Sequence, residues 1–412
     1  MTGMDQPWSQ RKLHFVGIGG AGMSGLAVVA QALGASVTGS DRAAGSPYAA
    51  NLAAAGIEPV LGHDAANVPE GAEVVYSSAI PESNPERRAP ELHRADLLGE
   101  ITRLKPTIAV SGTHGKTTTS SMLVHALGAD SYLVGGEVRS TGSNAGWGPG
   151  EWLVVEADES DRSLLKLSPT IAVVTNAELD HHTTYASSRD VDDTFRAFLA
   201  LAREQVVPPE LVRLAERPTV FDDVDVRLSV PGEHNARNAA AALTAIRLAG
   251  ADVAAAARRL ESFEGAGRRF ERLGATPNGA EVVDDYAHHP TEVAATIAAA
   301  RTLGPLRVLA CFQPHLFSRT QREATAFGRA LAAADLAVIL DVYPARERAE
   351  DYPGVSGLLV AEATYDAGGG KRVVWARDHA TAERFLRNES CSRDLILTMG
   401  AGDVDSVGRA LL

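Results

Sequence analysis

Cysteine is almost missing from this chain: Cys311 and Cys391 are the only two in 412 residues. So few exclude a disulfide-stapled secreted scaffold and fit a reducing compartment. Cys311 lies in the apolar run Val308-Leu309-Ala310-Cys311-Phe312, which reads as a buried strand. No run approaches the roughly 18 apolar residues of a membrane span, and Met1 to Lys12 lacks the apolar core of a signal peptide. The expectation is a soluble, cytoplasmic protein without membrane insertion. Positive charge is also scarce, with 39 Lys and Arg against 52 Asp and Glu and a net charge of -13. That balance excludes a general nucleic-acid binder, because nothing in it releases counterions from a phosphate backbone. Any anionic ligand must be held by local sites. Low-complexity sequence is confined to Gly368-Gly369-Gly370, a surface-turn composition.

What the chain does have is the makings of a large core. Hydrophobic residues make up 45% and charged residues 22%, the composition of a folded protein, and the length suits two to four domains. Short apolar runs alternate with Ala-rich helical segments from Lys12 onward, the pattern of parallel sheets covered by helices, so the class is α/β. The pattern restarts at Leu13–Val16, Thr107–Val110 and Arg307–Phe312. Three domains are expected, 1–105, 106–266 and 267–412, with joints near Lys105-Pro106 and Gly265-Gly267. Between Phe198 and Pro231 the signal weakens to a short strand-and-helix stretch with the acidic cluster Asp222, Asp223 and Asp225.

Two glycine loops carry the chemistry. Strand His14-Phe15-Val16 runs into Gly17-Ile18-Gly19-Gly20-Ala21-Gly22, then a helix to about Leu33, strand Ser36-Val37-Thr38 and Asp41. Such glycines let the backbone approach a diphosphate at a helix N-terminus, where free N–H groups and the dipole favour negative charge. Alone, the loop fits a nicotinamide dehydrogenase or a plain tight turn. Met23-Ser24-Gly25 extends it unusually, and no dehydrogenase-like catalytic pair follows. The second loop, Ser111-Gly112-Thr113-His114-Gly115-Lys116-Thr117-Thr118, follows strand Thr107-Ile108-Ala109-Val110 and opens a helix. This is a nucleoside triphosphate cradle: backbone N–H groups wrap the phosphates, Lys116 reaches the outer ones and Thr117 offers a hydroxyl to Mg²⁺. Two residues rather than the usual four separate Gly112 from Gly115. Two phosphate loops imply two phosphorylated ligands, and a dehydrogenase needs only the first.

Polar clusters follow the later strands. Trp152-Leu153-Val154-Val155 ends in Glu156-Ala157-Asp158-Glu159-Ser160-Asp161, and Thr170-Ile171-Ala172-Val173-Val174 in Thr175-Asn176-Ala177-Glu178-Leu179-Asp180-His181-His182. Carboxylates at the C-terminal ends of parallel strands lie where α/β sheets place ligands, and hard oxygens suit Mg²⁺; a solvated acidic loop is the alternative. In Gly232-Glu233-His234-Asn235-Ala236-Arg237-Asn238, Asn235 is a candidate N-cap of an Ala-rich helix. Gly267-Arg268-Arg269-Phe270 sits at the second joint. Strand Glu281-Val282-Val283 leads to Asp284-Asp285-Tyr286-Ala287-His288-His289-Pro290, which reads as a helix start with Pro290 near N1 or as a transition-metal cluster. Phe312-Gln313-Pro314-His315-Leu316-Phe317-Ser318-Arg319 follows the next strand.

Gly112-Thr113-His114-Gly115-Lys116-Thr117 resembles the short ATP loop of the Mur ligases and their folylpolyglutamate synthase relatives. Gly17 to Gly25 resembles the UDP-binding loop of the alanine-adding branch, and with the later motifs the likeness spans nearly the whole chain. The resemblance implies a Rossmann-like UDP-binding domain, a central P-loop ATPase-like domain and a C-terminal Rossmann-like domain. It implies ATP-dependent ligation of L-alanine to UDP-N-acetylmuramate, with ATP and Mg²⁺ or Mn²⁺, in a monomer or homodimer. It assigns the UDP-sugar to Gly17, Gly19, Gly20, Gly22, Met23, Ser24, Asp41 and Ser78. ATP falls to Gly112, Thr113, His114, Gly115, Lys116, Thr117, Thr118, His234, Asn235, Asn238, Arg269 and Asp285. It gives the metal to Thr117, Glu156 and His181, and alanine to His288 and Arg319, so that Lys116, Glu156, His181 and Arg269 are the catalytic set. The chain departs from the family in three ways. It has no lysine between Lys166 and Lys371 to carbamylate, it has Leu316 where a second arginine is frequent, and its stretch from Phe198 to Pro231 is short. A recycling ligase that attaches a tripeptide, a nicotinamide oxidoreductase and a non-catalytic nucleotide sensor are the rival readings.

Overall fold

The computed structural model describes residues 7–43, 45–222 and 226–412. Asp223 and Asp225 of the acidic cluster, and the first six residues of the N-terminal stretch, lie outside these. The chain divides into two compact units, one of Met1–Ser229 and Ala236–Ala266, the other of Val230–Asn235 and Gly267–Leu412.

The first unit holds two sheets. One comprises β1 (Lys12–Val16), β2 (Ser36–Asp41), β3 (Val60–Leu61), β4 (Glu73–Tyr76) and β5 (Glu91–His93), in the order β3-β2-β1-β4-β5 and parallel throughout. The other comprises β6 (Thr107–Ser111), β7 (Ser131–Val138), β8 (Ser143–Gly146), β9 (Leu153–Glu156), β10 (Ile171–Val174), β11 (Glu204–Val207) and β12 (Pro218–Val220). Its order is β12-β11-β10-β6-β9-β7-β8, with β8 alone antiparallel. β6, β9 and β10 are apolar over almost their whole length because helices cover both faces of a parallel sheet. The weak stretch after Phe198 is β11, a 3-10 helix (Pro209–Leu214) and the short edge strand β12. This is the strand-and-helix reading made from sequence.

One buried cluster serves both sheets, running from Leu13, Phe15 and Ile18 through Leu26 and Val29 to Leu133, Leu153 and Phe198. Fully burying each such side chain stabilises by roughly 1.5–3 kcal/mol. The bridge is the helix Ala21–Ala32, and Gly25 is its point of closest approach. A Cβ there would lie 3.1 Å from Leu133 Cδ2 and 3.3 Å from Ala145 Cβ. Asn144 on β8 donates to Ala21 O at 2.7 Å and to Ser24 Oγ at 3.2 Å. The Met23-Ser24-Gly25 extension is thus a docking seam between the two sheets, and Met23 and Ser24 are buried in it.

The second unit is a doubly wound sheet of β13 (Glu271–Ala275), β14 (Glu281–Asp285), β15 (Val308–Phe312), β16 (Leu336–Leu340), β17 (Arg372–Ala376) and β18 (Leu395–Met399), ordered β13-β14-β18-β15-β16-β17. Only β13 is antiparallel. β15, β16 and β18 are wholly buried, Cys311 included, and separate apolar clusters pack on the two faces. Pro290 occupies the first turn of helix Pro290–Thr302, where its missing N–H is harmless. His289 and Glu292 form a capping box there, and Asp284 pairs with Arg268 at 2.9 Å, so the helix-start reading of this segment holds. Asn235 is likewise not an N-cap. Helix Glu233–Leu248 has already begun, and the Asn235 amide donates to Pro231 O at 2.7 Å.

Candidate active site

In the first loop, Gly17 takes a left-handed conformation (φ 72°) and Gly20 caps the helix Ala21–Ala32. Asp41, the last residue of β2, accepts from Gly19 N–H at 2.9 Å, and Ser46 Oγ donates to Gly19 O at 2.7 Å. A Cβ on Gly19 would lie 2.9 Å from Asp41 Oδ2 and 3.1 Å from Ser46 Cβ, so a larger residue would displace these two side chains. Gly22 lies in the first helical turn, where N–H groups lack intrahelical acceptors. The side chains of Met23 and Ser24 are buried in the seam, and Ser24 N–H donates to Gly20 O at 2.8 Å. Ser78 is exposed on the loop after β4, and its hydroxyl donates to Asp161 Oδ2 at 3.4 Å.

The second loop is built differently. β6 delivers Gly112 at φ 134° and Gly115 at φ 80°, after which helix Lys116–Leu127 begins. A Cβ on Gly112 would fall 2.1 Å from Thr175 Oγ1, and one on Gly115 would fall 2.5 Å from Asn238 Oδ1. Residues at the end of β10 clamp the loop. Asn176 accepts from His114 N at 2.9 Å and donates to His114 O at 2.9 Å, Thr175 donates to the same carbonyl at 2.6 Å, and Thr113 Oγ1 donates to Glu178 O at 3.0 Å. Thr118 is buried in the first turn of the helix.

Lys116 donates to Gly112 O at 2.6 Å and Thr113 O at 3.1 Å, and its ammonium pairs with Glu159 at 2.9 Å. Burial alone would lower its pKa, but Glu159, Asp158 and Glu156 outweigh burial and the net shift is upward, so the lysine stays charged. Thr117 Oγ1 donates to Glu156 Oε1 at 3.1 Å, and the other Glu156 oxygen accepts from Gly135 N–H at 2.7 Å. His181, at a left-handed φ of 50°, faces Glu159 at 3.3 Å. Its carbonyl accepts from the N–H groups of Thr184 and Tyr185. The expected residues Lys116, Thr117, Glu156 and His181 thus gather around one strand-end cluster, and Asn238 lies beside Gly115. Glu159 was quoted from sequence without a role. It bridges Lys116 and His181 with its side chain only 3% exposed.

In the second unit, Arg268 and Arg269 behave differently although adjacent. Arg268 is a clamp, bonded to Asp284, Gly402 O at 2.7 Å and Gly400 O at 3.0 Å. Arg269 lies over the Tyr286 ring at 4.8 Å. Asp285 is buried, accepts from Phe270 N and Ala287 N at 2.8 Å each and from Thr296 at 3.2 Å, and has its pKa raised, chiefly by burial. It organises its own loop. His288 Nδ1 meets Tyr286 O at 3.0 Å, which fixes the proton there and leaves Nε2 as an acceptor. Burial, with Arg319 adding to it against Glu292, pushes its pKa down to about 3, so the ring is neutral. His234 is also lowered by burial. Arg319 is buried at the start of helix Phe317–Leu331. His315, to which no role was given from sequence, packs edge-on to His288 and stacks on Tyr343. Its neighbour Leu316 caps that helix at a positive φ of 68°.

A parallel-sheet protein with a glycine-lysine-threonine phosphate loop, a charged lysine and carboxylates on the adjacent strand ends is a phosphate-binding α/β protein. The chain belongs to the Mur ligase family. The model of the Mur ligase catalytic domain matches residues 12–105, and that of the Mur ligase glutamate ligase domain matches 268–402. A UDP-N-acetylmuramate--L-alanine ligase of Rubrobacter xylanophilus is 42% identical over 97% of this chain and 99% of its own length. The one from Streptomyces coelicolor is 42% identical over 100% and 98%. These alignments run over 452 and 463 positions against 412 residues here, so the relatives carry residues that this chain lacks. Among solved structures, a UDP-N-acetylmuramate-alanine ligase from Thermotoga maritima superposes with a TM-score of 0.81 at 27% identity, covering 97% of this chain and 98% of that one. A murein peptide ligase from Psychrobacter arcticus shares the fold, with a TM-score of 0.68 at 23% identity. The chain is therefore a ligase by family, and the oxidoreductase reading of the first loop falls away.

Proposed function

We propose that this chain joins L-alanine to the carboxylate of UDP-N-acetylmuramate at the expense of ATP, in the synthesis of peptidoglycan precursors in the cytoplasm. The observation that carries the reading is the phosphate loop with Lys116, Thr117, Glu156 and Glu159, in a chain about 42% identical along its length to relatives named for that reaction. No described helix is long and apolar enough to cross a membrane. The UDP-sugar is assigned to the first loop with Asp41 and Ser78, and the triphosphate to Gly112 through Thr118 with Asn238. His234, Asn235, Arg269 and Asp285 join the nucleotide by family resemblance. Alanine falls to His288 and Arg319.

The donor set fits a hard divalent cation. Thr117 and Glu156 supply oxygens 3.1 Å apart, Glu159 follows Glu156 in the loop after β9, and His181 lies in the loop after β10. Mg²⁺ or Mn²⁺, when bound, neutralises charge on the outer phosphates. The protein's own contribution starts with Lys116. The muramate carboxylate is repelled by a triphosphate, and a lysine held protonated offsets that repulsion as the carboxylate attacks the γ-phosphate. An acyl phosphate and ADP result. The neutral amine of alanine then attacks the acyl carbon, loses a proton and expels phosphate. The neutral His288 ring, with an accepting Nε2, suits the amine end of alanine, and the Arg319 guanidinium suits its carboxylate.

Mixing the protein with ATP, UDP-N-acetylmuramate and either alanine or a tripeptide, and measuring released phosphate, tests the reading. Alanine-dependent release supports it. Release with the tripeptide alone would make the chain a recycling ligase, and no release with either would overturn both.

A further inference from the structure

Arg94 was given no role by the motifs, yet its guanidinium touches both phosphate-loop neighbourhoods of the first unit. It begins helix Arg94–Ile101, directly after β5. Its Nη1 lies 3.4 Å from where a Cβ on Gly22 would stand, so the guanidinium borders the first loop. Its Nη2 reaches the second sheet, donating to Asp161 Oδ2 at 2.8 Å and Asp158 Oδ2 at 3.2 Å. The remaining oxygens of those two carboxylates are bound within their own turn. Asp158 Oδ1 accepts from Ser160 N at 2.9 Å, and Asp161 Oδ1 accepts from Ser163 N at 3.0 Å. Between them sits Glu159, whose carbonyl accepts from Tyr185 OH at 2.6 Å and whose carboxylate holds Lys116 and His181.

The charges make this arrangement consequential. Glu156, Asp158, Glu159 and Asp161 put four carboxylates within six residues, facing Lys116 and Arg94. Like charges this close repel, and each needs a partner to stay ionised in place. Without Arg94, the excess negative charge of Asp158 and Asp161 would fall on Lys116, the cation the triphosphate requires. We infer that Arg94 is a positioning residue for the ATP reaction: it holds the 158–161 turn from the first sheet and keeps Lys116 available to the nucleotide. The inference deepens the ligase reading and rests on it for its kinetic test.

The test is steady-state phosphate release with ATP varied, together with calorimetric binding of a non-hydrolysable ATP analogue in Mn²⁺ and of UDP-N-acetylmuramate. Arg94→Met should lower kcat/KM for ATP by about 10- to 100-fold and weaken analogue binding, with UDP-sugar affinity within about threefold. Arg94→Lys keeps the charge but not the fork, and should retain more activity. The decisive variant is Arg94→Met with Asp161→Asn, which removes the stranded charge and should recover several-fold of the loss; a merely structural role predicts further damage instead. A double variant no better than Arg94→Met, or a more than tenfold loss of UDP-sugar affinity in Arg94→Met, overturns the inference. If Arg94→Met does not fold, Asp161→Asn alone should weaken ATP and not UDP-sugar, and the reverse order would overturn the inference equally. Should the wild-type protein release no phosphate, the ligase reading fails while analogue binding still reads the effect of Arg94.

Discussion

The two glycine loops of the first unit share one local plan and end differently. Each follows a buried parallel strand and opens a 12-residue helix. In the first, the side chains of the opening helical turns are buried in a seam with β7 and β8, leaving backbone N–H groups and the Asp41 carboxylate around the turn. In the second, a charged lysine, hydroxyls and carboxylates from two further strand ends converge on the loop. The difference teaches that glycines make room for phosphate, whereas chemistry requires side chains delivered by other strands. In the proposed reading the first loop holds its ligand and the second carries the reaction.

The sharpest way to break that comparison is Lys116→Ala. Turnover should fall by at least about a thousandfold, since electrostatic stabilisation of a transferring phosphoryl group is worth several kcal/mol, while UDP-N-acetylmuramate binding stays within a few-fold. A UDP-sugar affinity reduced more than about tenfold, or 1.4 kcal/mol, would show that the two loops do not divide the ligands as proposed.

Arg319→Ala asks whether alanine is held apart from both loops. In the proposed assignment the alanine carboxylate is anchored by the Arg319 guanidinium, whose loss should cost on the order of 2 to 4 kcal/mol. The alanine KM should rise tens to hundreds of times, with the KM for ATP and UDP-sugar within a few-fold. An unchanged alanine KM in steady-state kinetics would mean the carboxylate is held elsewhere.

Glycine replacement compares the loops by stability rather than rate. Gly112→Ala places a Cβ against Thr175 at a φ of 134° and should cost about 2–4 kcal/mol in denaturant unfolding of the first unit. In Gly20→Ala the nearest atom to the new Cβ is Gly17 O at 3.7 Å, and the change should cost less than about 1 kcal/mol. Equal losses would remove the distinction between the two turns. The smallest expected effect is none at all: adding or stripping bicarbonate should leave activity unchanged, because no lysine follows Lys166 until Lys371. A carbon dioxide requirement would sink that argument.

Much of this was legible before any coordinates. The α/β class, the strand ahead of each loop, the helix start at Pro290 and the gathering of Lys116, Thr117, Glu156 and His181 follow from short-range pattern and motif. Asn235 misled, because an asparagine near a helix start is a cap only if the helix begins after it, and here the turn begins at Glu233. Ser24 shows what the motif left open: its hydroxyl accepts from Asn144, 120 positions away in sequence, a contact no local pattern announces.

Sequence by itself determined where the glycines, the lysine and the acids would fall, because glycine's tolerance of positive φ, the strand-to-helix change of period and the chemistry of phosphate all act over a few residues. It could not determine which of four neighbouring carboxylates would face Lys116, or that Arg94 would hold two of the others. Those pairs join residues 43 and 64 to 67 positions apart. They are decided by the order of strands in the second sheet and by the packing of the first sheet's helices against it, and only the folded chain brings those strand ends together.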